Sequence, residues 1–222
     1  STTVIANAIS QSSESDLKKY LDEDFIFIPY CRPGFTLTME IKKLILPSTN
    51  ILILENHGLI VAGDDIEDTY KLLLKIHEKL DLIRNEKLGL DFLEKITNIG
   101  GYIHKNTDKY KLFSTQNEKL FSLFSKSFYP DHVIFLGPGI PTFSEVKEAN
   151  EFIQNLKRKN INLPPYLILK NKGLFENTLA IPAAKEMIDC FLEVLLRIDL
   201  SKSFKFLSSH QESELLNWDI EI

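Results

Sequence analysis

The chain repeats itself, and the repeat limits what it can fold into. Ile51-Leu52-Ile53-Leu54-Glu55-Asn56-His57-Gly58-Leu59-Ile60 is matched by Tyr166-Leu167-Ile168-Leu169-Lys170-Asn171-Lys172-Gly173-Leu174-Phe175, identical at six of ten positions. A continuous apolar run of this kind suits a strand buried on both faces. Asn and then Gly supply the backbone freedom of a tight turn, and the next apolar run returns as a hairpin partner. Both copies lead into a long amphipathic helix, spaced by Tyr70, Leu73, Leu74, His77 and Leu80 in the first and admitting Pro182 in its first turn in the second. Upstream, Asp24 to Ile28 with Pro33-Gly34 is echoed by His132 to Leu136 with Pro138-Gly139, and Val133 to Leu136 reads as a strand. Shared order across strand, Pro-Gly, strand, Asn-x-Gly and helix favours a duplicated α/β unit.

The rest of the pattern is consistent with that frame. A short helix is expected near Thr38 to Leu46, and another opens at Asp64, with Glu67 three places on, and runs to about Asn85. A further helix is expected from a cap at Ser144 to about Lys159. From about Leu88 to Phe128, helical patches alternate with polar stretches and the boundaries are not legible. The expected division is 1–90 and 91–222. Val4, Ile5, Ala8 and Ile9 already read as the middle of a helix, and with Ser1 in place of Met the expectation is a chain that lacks its natural beginning.

Charge narrows the partners. With 26 basic and 31 acidic residues in 222, a net charge of -5 and no long run of one sign, neither nucleic acid nor an anionic membrane is the expected partner. No apolar run approaches the roughly 20 residues of a membrane span, and no signal segment opens the chain. Cys31 and Cys190 form no Cys-x-x-Cys and read as buried thiols, so a cytoplasmic protein is expected.

Chemistry is sparse. His57, in a tight turn between two buried strands, could be held rigidly enough to bind a divalent metal, although Asn56-His57-Gly58 also reads as a hairpin turn and nothing more. Lys172 occupies the same place in the second copy, so only the first copy keeps a metal-binding side chain there. His77, His104, His132 and His210 form no His-x-His or His-Glu-x-x-His and read as ordinary surface or packed residues. No Gly-x-Ser-x-Gly, phosphate-binding Lys loop or dinucleotide fingerprint occurs. Tyr30 and Arg32 lie in a Pro-Gly loop that is either structural or reaches toward a substrate.

Three ordered segments and a closing one resemble the class II aldolase/adducin family. Leu54 to Asp64 is similar to the signature whose histidine before glycine is the third histidine ligand of zinc. Pro29-Tyr30-Cys31-Arg32-Pro33-Gly34-Phe35 resembles a segment of the rhamnulose-phosphate-aldolase-like branch, which includes aldolase domains fused to a short-chain dehydrogenase. Ser1 to Ala8 resembles the stretch directly after that family's His-x-His pair, and Phe206-Leu207 with Asn217 to Glu221, including a packing Trp218, resembles its closing segment. The resemblance implies a three-layer α/β/α sandwich, here N-terminally incomplete and joined to a degenerate second copy. It also implies a homo-oligomer, often a tetramer, with Zn2+ as the cofactor. By this likeness His57 is a metal ligand, and Tyr30, Arg32 and Asn56 face a small sugar phosphate or related hydroxy-carbonyl substrate that is cleaved at a carbon–carbon bond. The implied His-x-His pair and glutamate would precede Ser1. A second expectation stands beside it, an adducin-like scaffold domain without catalysis.

Overall fold

A computed structural model describes residues 1–81, 85, 88–89 and 98–217. The chain divides into two compact units, one formed by Ser1–Arg84, Phe128–Pro130 and Glu193–Ile222, the other by Asn85–Ser127 and Asp131–Leu192. Content is mixed α/β, with one small sheet in each unit.

The first unit opens with helices α1 (Thr2–Ala8) and α2 (Ser13–Tyr20) and continues through strand β1 (Ile26–Ile28) and helix α3 (Phe35–Leu44). The hairpin β2 (Ile51–Leu54) and β3 (Gly58–Val61) then leads into helix α4 (Ile66–Leu80), and α9 (Ser209–Leu216) comes from the far end of the sequence. β1 pairs parallel and β3 antiparallel with the central β2. The β2 side chains alternate between two apolar clusters. Ile51 and Ile53 pack with Val4, Ala8, Leu17 and Ile76, while Leu52 and Leu54 pack with Ile28 and Leu37. Burial on both faces is why this run shows no polar alternation. α4 starts one residue later than the sequence suggests, because the Asp65 carboxylate accepts a 2.8 Å hydrogen bond from the Asp68 N–H.

The second unit carries β4 (Asn98–Ile99), β5 (Tyr102–His104), a 3-10 segment Asp108–Ser114, α5 (Glu118–Leu123), α6 (Pro130–Leu136, counted with this unit from Asp131) and β6 (Thr142–Phe143). It continues with α7 (Val146–Arg158), β7 (Tyr166–Leu169) and β8 (Gly173–Asn177); α8 (Pro182–Arg197) comes next, counted with this unit through Leu192. The sheet order is β4-β5-β8-β7-β6, with β6 parallel to β7 and β8 antiparallel to it. The strand expected at Val133 to Leu136 is instead helix α6. Pro130 suits a first helical position, Asp131 adds negative charge to the first turn, and Val133 and Leu136 are buried three apart while Ile134 is exposed. A four-residue apolar run cannot separate the two states by periodicity. The counterpart of β1 is therefore β6. α7 begins after Glu145, not Ser144, because Glu145 and Glu148 form a reciprocal capping box. The first long helix ends at Leu80, with Asp81 as its C-cap, short of the expected Asn85; the packing role expected of Trp218 lies outside the described residues.

The repeat recurs in backbone detail. Glu55 N–H donates to Ile28 C=O at 2.9 Å, and Lys170 N–H donates to Phe143 C=O at 2.9 Å. His57 N–H reaches Leu54 C=O at 3.2 Å, and Lys172 N–H reaches Leu169 C=O at 3.0 Å. Asn56 and Asn171 hold φ of 53° and 61°, the left-handed region that Asn tolerates better than most residues.

Candidate functional site

The β2–β3 turn mounts His57, and its two preceding side chains fix it. Glu55 is 7% exposed, and its carboxylate accepts the Tyr30 N–H at 3.0 Å and a short hydrogen bond from the Lys205 ammonium. That carboxylate ties the turn to the loop carrying Tyr30 and Arg32, and to the segment just after Phe204. Asn56 is 2% exposed, and its side-chain amide donates to the carbonyls of Phe128 at 2.8 Å and Lys205 at 2.9 Å. Both amide protons of Asn56 are thus engaged by backbone. The segment around Lys205 is itself anchored, since Lys205 N–H donates to Ile9 C=O at 2.7 Å and Phe204 bridges to Ser10. His57 sits half-buried on this held turn.

Tyr30 and Arg32 come after β1, and both are half-buried. The Tyr30 phenol is pushed up to about 12, first by burial and then by the Glu214 carboxylate and Cys31, with Arg32 opposing. Its hydroxyl is buried with no hydrogen-bond partner among the described residues. Burial, with Glu40, raises the neighbouring Cys31 thiol. An open cleft of about 500 Å³ is lined by Ser12, Ser13, Lys18, Phe27, Glu55 and Lys205 among others; His57, Tyr30 and Arg32 do not line it.

The remaining histidines have other settings. His77 Nδ1 hydrogen-bonds the Thr3 hydroxyl at 2.9 Å. His104 stacks on Phe175 at 4.7 Å and hydrogen-bonds the Lys172 carbonyl at 2.7 Å. His132 is fully buried, edge-on to Phe191 at 4.5 Å. Among the described residues no group of three His, Cys, Asp or Glu side chains could hold a metal ion. A catalytic zinc centre takes three protein ligands and an open position, so the described residues do not by themselves fit one.

The sequence model for "Class II Aldolase and Adducin N-terminal domain" matches residues 1–82, which run from α1 through the end of α4. Over residues 1–82 the chain is thus similar to the class II aldolase/adducin family. A comparison over 82 residues that covers 34% of the chain gives 30% identity to a protein of Bacillus subtilis (strain 168) named "Uncharacterized oxidoreductase YuxG". That stretch is 12% of the relative's length, so the chain spans only a small part of it. No solved structure matches the chain significantly. The aldolase-type segment contains His57, Tyr30, Arg32, Asn56 and Glu55, whereas Lys205 and Phe128, which hold the turn, lie outside it.

Sequence reasoning missed Glu55 and Lys205. Glu55 carried a faint signal, a carboxylate at the end of a fully buried strand, where charge persists only with partners. Lys205 carried none, because its partner lies 150 positions away. Among the described residues no helix is long and apolar enough to cross a membrane.

Proposed function

We propose that this chain forms part of a divalent-metal-dependent class II aldolase, a carbon–carbon lyase acting on a small sugar phosphate or related hydroxy-carbonyl compound. The observation that supports it most is a family segment whose signature histidine, His57, sits on a turn locked by Glu55 and Asn56. In this reading His57 is one ligand of the ion, expected to be Zn2+, and the remaining ligands come from residues beyond those described. Arg32 serves the substrate's phosphate through its forked N–H donors, and Tyr30 lies beside it. Asn56 acts on the site by holding the turn, since its amide protons are already engaged.

The same reading includes a three-layer α/β/α sandwich, supported in the first unit by apolar clusters on both faces of β2. It treats the second unit as a degenerate copy, supported by the repeated ladder register and by Lys172 at the place of His57. A cytoplasmic homo-oligomer, a tetramer being the family's frequent form, completes it.

Metal analysis of the natively expressed protein tests the proposal, together with an assay for aldol cleavage of ketose phosphates. About one divalent ion per chain is expected. His57→Ala should lose ion and cleavage while its circular dichroism stays unchanged. A stable metal-free oligomer without cleavage would favour the adducin-like scaffold instead.

A further inference from the structure

Helix α2 begins without the cap its sequence offers. Ser12 stands at the cap position, where a serine hydroxyl usually accepts a first-turn N–H, but it makes no such bond and donates to the Asp16 carboxylate instead. Of the N–H groups left over at the helix start, that of Ser12 reaches the Ser10 hydroxyl at 3.2 Å and that of Ser13 the Ser10 carbonyl at 3.1 Å. Those of Glu14 and Ser15 have no acceptor among the described residues. Both residues line the cleft of about 500 Å³.

A side chain in the same place points the same way. Ser13 is 2% exposed, lines the cleft, and uses its hydroxyl for no hydrogen bond among the described residues. Withdrawing a hydroxyl from water without giving it a partner is unfavourable, so a buried one on a cavity wall points to a ligand that supplies the partner.

The charges of the described lining balance, Lys18 and Lys205 against Glu14 and Glu55. Lys205 is held by the buried Glu55 carboxylate. Lys18 makes only a solvent-exposed pair with Glu14, which it can leave at little cost. The neighbouring Asp16 is held by Lys19 and Lys202. Two N–H groups, a hydroxyl and a mobile ammonium are therefore available, and the partial positive charge of the helix start adds to them. Phe27 and Pro29 supply an apolar wall, and the volume lies in the range of small-molecule sites.

We propose that this cleft binds a phosphate monoester of a small carbon skeleton. The phosphate oxygens accept from the Glu14 and Ser15 N–H groups and the Ser13 hydroxyl and draw the Lys18 ammonium off Glu14, while the carbon skeleton lies against Phe27 and Pro29. Three neutral donors and a lysine suit the three terminal oxygens of a phosphate better than the two of a carboxylate. His57, Tyr30 and Arg32 do not line the cleft, so the proposal stands or falls apart from the metal reading.

Backbone amide chemical shifts of the full 222-residue chain, followed during titration with glycerol 3-phosphate, test this without metal or cleavage. Glu14 and Ser15 should move saturably at millimolar concentration. Inorganic phosphate should move the same amides with weaker affinity, and glycerol should move neither. Ser13→Ala should weaken binding about tenfold through one lost hydrogen bond to a charged group. At exposed side chains, Lys18→Met should weaken it and Glu14→Gln strengthen it, each about threefold, with the melting transition in place. Four results would overturn the proposal: no saturable movement of Glu14 and Ser15, the same movement with sodium chloride at equal ionic strength, glycerol 3-phosphate binding no tighter than inorganic phosphate, or undiminished affinity in both Ser13→Ala and Lys18→Met.

Discussion

The turns at His57 and Lys172 have the same backbone and opposite surroundings. In both, a glycine stands two places after an Asn with positive φ, and a hydrogen bond closes the turn across three residues. In the first, Glu55 and Asn56 are buried and hold groups from distant segments. In the second, Asn171 is exposed, and Lys170 pairs with a Glu118 side chain that is 72% exposed. A local motif makes a turn, and the groups packed against it decide whether the turn is a rigid mount.

Equivalent substitutions in the two turns should therefore differ most at the asparagines. Asn56→Ala loses two hydrogen bonds, one of them buried and one part-buried, and strains a left-handed residue, for about 3 kcal/mol, whereas Asn171→Ala bears the backbone strain alone, about 1 kcal/mol. Urea denaturation of both variants measures the gap; equal losses would break the comparison.

The lysines come next. Lys205→Met strands a carboxylate that is 7% exposed and should cost about 2 kcal/mol, while Lys170→Met breaks a solvent-facing pair worth less than about 0.5 kcal/mol. A double-mutant cycle between Glu55 and Lys205 reads the coupling directly.

Acid should separate the units as well. Burial lowers the His132 imidazole from 6.5 to about 3 in the second unit, so the unfolded chain binds the extra proton first. Its stabilising effect is present above about 6.5 and falls by up to about 1.4 kcal/mol per pH unit on acidification toward 3. In the first unit, burial would raise Glu23, but Lys75 and Lys79 overcome it and lower the carboxyl from 4.5 to about 2. That contribution is present above about 4.5 and is lost as pH falls toward 2. Amide exchange at pH 5 should thus show loosening around α6 but not around α4, and His132→Leu should flatten the first of these limbs.

The smallest effect is expected at the turn tips. His57→Lys and Lys172→His exchange half-buried side chains on matching backbones and should each shift stability by less than about 0.5 kcal/mol. Thermal melts check this, and under the proposed function His57→Lys alone should lose the metal ion.

Much of the local architecture was legible in the chain itself. The apolar runs, Asn-x-Gly turns and threes-and-fours spacing specify strand, turn, strand and helix through contacts only a few residues long, and the family motifs around Tyr30, Arg32 and His57 lie within the same short reach. Val133 to Leu136 reads as a strand yet folds as a helix, because four apolar residues satisfy a strand and a helix face equally and only the packing of Val133 and Leu136 chooses between them. Which copy becomes a rigid mount was settled by tertiary structure, through Phe128 and Lys205 reaching Glu55 and Asn56 from far along the chain. So was the covering of β8 by β5, while β3 is the last of the described strands of its sheet. Hydrogen bonds and burial between distant segments leave no period in a sequence, so a short window shows the turn but not the groups that hold it.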